Sequence, residues 1–391
     1  MSTSFDVVAP IMDTYKRWPV EFVAGHGATL IDSDGRTYTD LVAGIAVASI
    51  GHAHPAVAAA VSDQMTRLVH VSNLYATTPQ NELAMRLSEL TGGMQSFFCN
   101  SGAEGIECAL KLARKWAREH RGPHATTIVA ADGGFHGRTF GALSATGQPA
   151  KRAAFEPVVP HIVHVPFGDA AALRGALGDH VAAVLLEPIQ GEAGVIVPPA
   201  HYLTEVRAAC DEAGVLLMLD EIQTGLGRTG SWFAHQHDDV DPDVMTLAKA
   251  LGGGLPIGAC LARPEVAAAF APGDHATTFG GGPVQCRAAL ATLDVIASED
   301  LVARSAGVGA ATIARLADQL SGRAVVRGRG LMIGIEFSEP IAREIATQAL
   351  AAGVLVNDAT PHVVRLVPPL VISDAELDDA LTRLGGILDA F

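Results

Sequence analysis

The chain has 391 residues, 49% hydrophobic and 18% charged, and its 27 Lys and Arg against 42 Asp and Glu give a formal charge of −15. That length exceeds the usual single core and points to two closely packed domains, while the acidic balance excludes the clustered basic surface by which proteins hold nucleic acid. Mean hydropathy is +0.28, but the longest uncharged apolar stretch, LVAGIAVASI at 41–50, is too short to span a bilayer and MSTSFDVVAP lacks the basic-then-apolar pattern of a leader, so a cytoplasmic protein with no membrane partner is expected.

Residues 28–41, ATLIDSDGRTYTDL, carry two strand-like runs about Asp34-Gly35, the signature of a tight hairpin, and read as an N-terminal flap. From about residue 94, short apolar runs alternate with longer helical patterns: SFFC before a helix from Ala103, then TTIVA, then VAAVLLE before a helix from about Tyr202, then GVLLMLD and DVMTLA. Such alternation predicts an α/β fold with a mainly parallel sheet covered by helices. After about residue 300 the pattern becomes helix, two strands, helix, two strands, helix, with AVVRGRGLMIGIEF and PHVVRLVPPL as paired strands of a smaller α+β domain. The expected division is an N-terminal segment 1–45 packing with the small domain, a large domain 46–290 and a C-terminal small domain 291–391.

Several residue groups carry no chemistry. Cys99, Cys108, Cys210, Cys260 and Cys286 are an odd, scattered set without a C-x-x-C pair, which reads as reduced core thiols. His52 with His54, and His235 with His237, lack the further ligands a metal site needs and read as polar turn histidines. Gly328, Gly330 and Gly334 have the wrong spacing for a dinucleotide loop, and no phosphate-binding G-x-x-x-x-G-K-[ST] occurs.

In an open α/β sheet, ligands bind beyond the carboxyl ends of the strands, so residues that follow each apolar run are the informative ones. After SFFC comes NSGAEG, a small turn into a helix whose first N–H groups are unpartnered; Ser101, Gly102 and Ala103 there suit a phosphate. After GVLLML comes Asp220, a carboxylate that burial obliges to find a cation. After VMTLA comes Lys249, followed by Gly252, Gly253 and Gly254, a setting that favours a desolvated or covalently bonded amine over a solvated one. An anion cradle, an acid and a lysine at one sheet edge, with an aromatic residue in GGFHGRT, are together what pyridoxal 5'-phosphate requires.

The stretches LDEIQTGLGRTG (219–230), PDVMTLAKALGGGLPIGA (242–259), FHGRTFGALSATGQP (135–149) and VRLVPPLVI (364–372) resemble the class III, or ω-type, pyridoxal-phosphate aminotransferases of fold type I, and within them the acetylornithine branch. The resemblance covers nearly the whole chain and implies a large domain with a mainly parallel seven-stranded sheet. It also implies that Lys249 holds the cofactor covalently and, once released, moves the reacting proton, and that Asp220 pairs with the ring nitrogen. Gln223 is implied beside the phenolic oxygen, Phe135 stacked on the ring with His136 next to it, and Ser101, Gly102 and Ala103 on the phosphate. Thr278 matches a residue that reaches the phosphate bound by the neighbouring subunit, which implies a homodimer with a shared active site. Arg138 matches the clamp for the carboxylate remote from the reacting amine, Arg365 the clamp for the α-carboxylate of glutamate, and Glu192 the side chain that pairs with Arg365 in one half-reaction and leaves it in the other.

The implied activity is ping-pong transamination, an ω-amino donor, foremost N2-acetyl-L-ornithine, passing its nitrogen to 2-oxoglutarate to give N-acetylglutamate 5-semialdehyde and glutamate. Other ω-amines (4-aminobutyrate, ornithine, succinylornithine, diamines) are alternative donors, and an aminomutase, racemase or decarboxylase of the same fold is disfavoured by Arg365 and Glu192. A binding protein on the same scaffold is disfavoured by Lys249 and Asp220. Ile45 replaces a tyrosine typical of ornithine δ-aminotransferases, which disfavours free ornithine; Ser49, Gly282 and Ile106 replace asparagines common in the family.

Overall fold

The computed structural model describes residues 10–391, so the leader motif sought in the first residues, and the start of the 1–45 segment, lie outside the described residues. Among the described residues no helix is long and apolar enough to cross a membrane. The flap is a meander of β1 (Phe22–His26), β2 (Thr29–Asp32) and β3 (Thr37–Asp40). Asp32 closes its tight turn, with Oδ1 accepting the Asp34 and Arg36 N–H groups at 3.0 and 2.8 Å, and Gly35 supplies the left-handed residue at φ +81°.

The central sheet has seven strands: β4 (Gln95–Cys99), β5 (Thr127–Ala131), β6 (Ile162–Val165), β7 (Val181–Leu186), β8 (Leu216–Asp220), β9 (Val244–Leu247) and β10 (Gly258–Ala262). Their order is β4-β10-β9-β8-β7-β5-β6, with β10 antiparallel to both neighbours and the remaining pairs parallel. Strands β5, β7, β8, β9 and β10 are buried along their whole length, as continuous apolar runs covered on both faces must be. The helix Gly102–His120 covers one face, burying Ile106, Ala109, Leu112 and Ala113 at helical spacing while Lys111, Glu119 and His120 face outward. Ile106 is a core residue, contributing about 1.5–3 kcal/mol by burial, so its departure from asparagine is a packing choice.

The C-terminal sheet joins β11 (Ala324–Arg329), β12 (Met332–Phe337), β14 (Asn357–Thr360) and β15 (Val363–Leu366) in the antiparallel order β11-β12-β15-β14, while the two-residue β13 (Val354–Leu355) pairs parallel with β3 of the flap. The residue expected to end the large domain, at 290, falls inside the helix Pro283–Ser298, whose Ala289, Leu293 and Ile296 pack with Phe98 and Met245 of the central sheet; a division after Ser298 keeps that helix whole.

The five cysteines are free and buried. Three of the four histidines take turn or capping roles: His52 binds Asp40 at 2.7 Å, His54 accepts the Ala56 N–H at 3.3 Å and His237 binds the Thr229 carbonyl at 3.0 Å. His235 differs, being buried, stacked on Phe233 and bonded at 3.0 Å to the buried Glu221.

Candidate active site

Because β4, β5, β7, β8 and β9 run in one direction, the residues after each of them converge at one edge of the sheet, and β10 enters from that edge. There they enclose a cavity of about 520 Å³ that Ser101, Phe135, His136, Glu187, Asp220 and Lys249 share. Its size is that of a typical small-molecule site.

The cradle forms where β4 gives way to the helix Gly102–His120. Ser101 is the N-cap, its Oγ accepting the Glu104 N–H at 3.3 Å, and Glu104 reaches back to accept the Asn100 N–H and side-chain amide at 2.6 and 2.9 Å. These reciprocal bonds use the N–H of residue 104 and leave those of Gly102 and Ala103 without a backbone partner. Gly137, at φ +133°, packs so tightly here that a Cβ would sit 2.7 Å from that of Ala103. Glu107, one turn further along the helix, accepts the Thr139 hydroxyl at 2.6 Å and the Gly141 N–H at 2.8 Å, which ties the Phe135–Arg138 loop to the cradle.

Asp220, at the end of β8, is buried and receives His136 Nδ1 at 2.8 Å and the Ile222 N–H at 3.1 Å. Burial works against a charge on His136, but the bond to Asp220 and the fields of Asp220 and Glu187 outweigh it and raise the imidazole above its ordinary value. Glu187 follows β7 directly and accepts the Phe135 and Gly191 N–H groups at 2.9 and 3.2 Å. Its burial pushes the carboxyl up to about 7.

Lys249 follows β9 and is partly buried in the cavity wall, with no hydrogen bond or ion pair to any described residue. Burial lowers its amine to about 8, with Glu192 pulling the other way and Arg365 adding to the drop. Its backbone is left-handed, φ +40°, a strain of about 1 kcal/mol that active sites commonly store. Gly253 is left-handed too, at φ +56°, and a Cβ there would meet Thr292 Oγ1 at 2.6 Å.

At the other end of the cavity, Arg365 on β15 is 1% exposed. Its guanidinium donates to Glu192 Oε1 at 2.7 Å, to Gln223 Oε1 at 3.1 Å and to Asn357 Oδ1 at 2.6 and 3.1 Å. Desolvation opposes the Glu192 charge, but Arg365 and Lys249 hold that carboxyl below its ordinary value. Arg138 lines the cavity mouth, exposed, with its guanidinium 5.7 Å from the Phe135 ring centroid.

Eleven of the twelve residues singled out in the sequence thus border one cavity or, in the case of Arg365, bond to its walls. Thr278 does not: it is exposed and borders a separate crevice with Asn73 and Phe279. Ile45 also stands away, lining a second cavity of about 340 Å³ between the flap and the C-terminal sheet, and Val47 is the residue of that segment that reaches the main cavity. Ile45 therefore makes no direct contact with the main cavity. Ser49 is buried and receives Arg228 at 3.0 Å, and Gly282 is the N-cap of the helix Pro283–Ser298 without a side-chain cap. Sequence reasoning passed over Glu187, although it ends VAAVLLE at the very position the strand-end rule inspects, and Asn357, whose pairing opposite Arg365 in the β14–β15 register has no sequence signal.

The donor set fits pyridoxal phosphate: a hydroxyl and two N–H groups without a backbone partner among the described residues for a phosphate, a buried acid–imidazole pair for a ring nitrogen, an aromatic wall and an amine that no described residue engages. The aminotransferase class-III family model matches residues 12–388. The chain is 51% identical over 384 residues to the acetylornithine aminotransferase of Mycolicibacterium smegmatis, covering 97% of this chain and 96% of that one, and 50% identical over 382 residues to that of Methanopyrus kandleri, covering 97% of each. Among solved structures it superposes on an ornithine aminotransferase from Toxoplasma gondii with a TM-score of 0.95 at 36% identity, covering 97% and 93% of the two chains, and on an acetylornithine aminotransferase from Elizabethkingia anophelis with 0.87 at 32%, covering 97% and 96%. On this match, from residue 12 to residue 388, the chain belongs to the class-III aminotransferase family.

Proposed function

We propose that this protein is a pyridoxal-phosphate aminotransferase that moves the ω-amino group of N2-acetyl-L-ornithine to 2-oxoglutarate, acting in the cytoplasm as a homodimer. The observation that carries this reading is the Glu192–Arg365 pair, 2.7 Å long, at the wall of the cavity that also holds Lys249.

Bound in the cavity, the cofactor supplies an aldehyde that accepts an amine and a protonated ring that withdraws electrons from the carbon bearing that amine. Ser101 Oγ and the N–H groups of Gly102 and Ala103 hold its phosphate, and the helix dipole behind them favours the anion. Asp220, oriented by its 2.8 Å bond to His136, would pair with the ring nitrogen and hold a proton there. Phe135 and Gln223, both in the cavity wall, would meet the ring face and the phenolic oxygen. Lys249 would hold the cofactor's aldehyde, and its Nζ, once free, would take the proton from the substrate carbon that bears the amine and deliver it to the cofactor carbon on the other side of that nitrogen. An amine near pH 8 suits both tasks, since it is neutral often enough to accept a proton and acidic enough to give it back.

Two substrates share the site although only one carries a carboxylate next to its reacting nitrogen. For 2-oxoglutarate and glutamate, that carboxylate takes the two-pronged face of Arg365 and Glu192 moves off. For the ω-amine no carboxylate arrives, and an unpaired buried guanidinium would be costly; Glu192 neutralises it. Arg138 at the mouth receives the remote carboxylate of either substrate. Thr278 would serve the phosphate of a second subunit, a reading supported by its exposure outside this chain's own cavity.

The purified protein is expected to be yellow, and borohydride should bleach it and mark Lys249 in the peptide map. N2-acetyl-L-ornithine alone should convert its spectrum to the amine form, and 2-oxoglutarate should restore it. A spectrum that responds to 4-aminobutyrate or a diamine and not to N2-acetyl-L-ornithine would move the donor assignment.

A further inference from the structure

Phe135 has two cations over its ring, Arg138 with its guanidinium carbon 5.7 Å from the centroid and Lys151 with Nζ 4.7 Å from it. Lys151 sits on the short helix Pro149–Arg152 and is half-buried. Its neighbour Arg152 is committed to the fold, donating to His164 at 3.0 Å and to the Ser144 carbonyl at 3.5 Å. The Lys151 side chain is committed to nothing: among the described residues its ammonium makes no hydrogen bond and no ion pair, and neither does the Arg138 guanidinium.

We propose that Lys151 is a second cation of the remote-carboxylate site, binding jointly with Arg138 the carboxylate that a substrate carries away from its reacting nitrogen. The inference rests on the reading of Arg138 given above and adds to it a residue that determines selectivity. A half-buried ammonium beside a guanidinium is an unfavourable pair until an anion joins them. The state of Lys151 reflects this: burial lowers its amine below the ordinary value, Glu192 opposes the drop, and Arg138 and Arg365 deepen it. One carboxylate has two oxygens, enough to accept from the arginine fork and from the ammonium at once. A donor without that carboxylate leaves both cations uncompensated over the same ring, so the pair selects against simple amines as well as for N-acylated amino acids.

The test compares two donors that differ only in that group, N2-acetyl-L-ornithine and its decarboxylated analogue N-acetylputrescine, in single half-reactions of the holoenzyme followed by cofactor absorbance. Lys151→Met, which keeps the apolar stem, should lose about tenfold more apparent affinity for N2-acetyl-L-ornithine than for N-acetylputrescine, the worth of one charge-assisted contact, and Lys151→Arg should restore most of the preference. An equal change on both donors, or none on either, overturns the proposal. Arg138→Gln is measured alongside. If it collapses the preference while Lys151→Met keeps it, the role of Lys151 is refuted and that of Arg138 stands; if Arg138→Gln keeps it too, the remote-carboxylate reading falls and the proposal with it.

Discussion

Arg228 and Arg365 are both 1% exposed, yet their surroundings have little in common. Arg228 donates to the carbonyls of Leu331 and Pro368 at 3.0 and 2.6 Å and to Ser49 Oγ at 3.0 Å, neutral acceptors held by the backbone of three distant segments. With no carboxylate beside it, burial brings its guanidinium down to about 9. Arg365 has a carboxylate partner on a side chain that is 22% exposed and, among the described residues, bonded to nothing else. One arginine is a tie between the loop after β8, the C-terminal sheet and the segment that follows the flap; the other, on the proposed function, holds a charge whose partner is exchanged. An exchangeable partner is what a site needs when two unlike substrates must use it in turn.

That contrast can be broken at either arginine. Replacing Arg228 by Met strands two buried carbonyls and should destabilise the fold by about 3 kcal/mol, seen as a lower urea midpoint, while each folded molecule keeps the wild-type ratio between its two half-reactions. Glu192→Gln keeps the shape but removes the exchangeable charge. The half-reaction with N2-acetyl-L-ornithine should slow about tenfold, because Arg365 then faces the donor uncompensated, while the 2-oxoglutarate half-reaction is spared. A smaller effect follows from Lys249. With its amine lowered to about 8, roughly a quarter is neutral at pH 7.5. Covalent uptake of added pyridoxal phosphate by the apoprotein should therefore rise through pH 8 and level off above it; a rate still climbing toward pH 10 would mean that the lysine is solvated. The same lowered value makes the buried charge a cost to folding below pH 8, a cost that should fade between pH 8 and 10.5 as the unfolded chain loses its advantage in holding the proton.

The two ends of the cavity also differ in how much the amino-acid sequence reveals. Ser101, Asp220 and Lys249 each lie at or within two residues of the end of an apolar run, and because the strands are parallel one rule finds them all. The same rule reaches Glu187, whose carboxylate reads as ordinary strand termination until its burial beside His136 and Asp220 is seen. The substrate end obeys no local rule. Arg365 lies in VVRL and reads as an outward-facing strand residue, and its partners Glu192, Gln223 and Asn357 come from separate loops and a facing strand. Only the resemblance to a family marked it. Two strands of the central sheet escaped pattern reading for plain reasons: β6 is an edge strand interrupted by His164, and β10, GACLA, is built from small residues and runs against the βα rhythm. The turn at 43–46 was equally hidden, since nothing in AGIA announces left-handed backbone at Ala43, Ile45 and Ala46, and that turn sends Ile45 to the second cavity.

The exchange of partners at Arg365 is tested most directly by Arg365→Met followed in separated half-reactions. The 2-oxoglutarate half-reaction should fall by about a hundredfold, the loss of a two-pronged charged contact, while the N2-acetyl-L-ornithine half-reaction falls by less than tenfold. Equal losses in the two halves would show that Arg365 merely supports the cavity, and that Glu192 is a fixed partner.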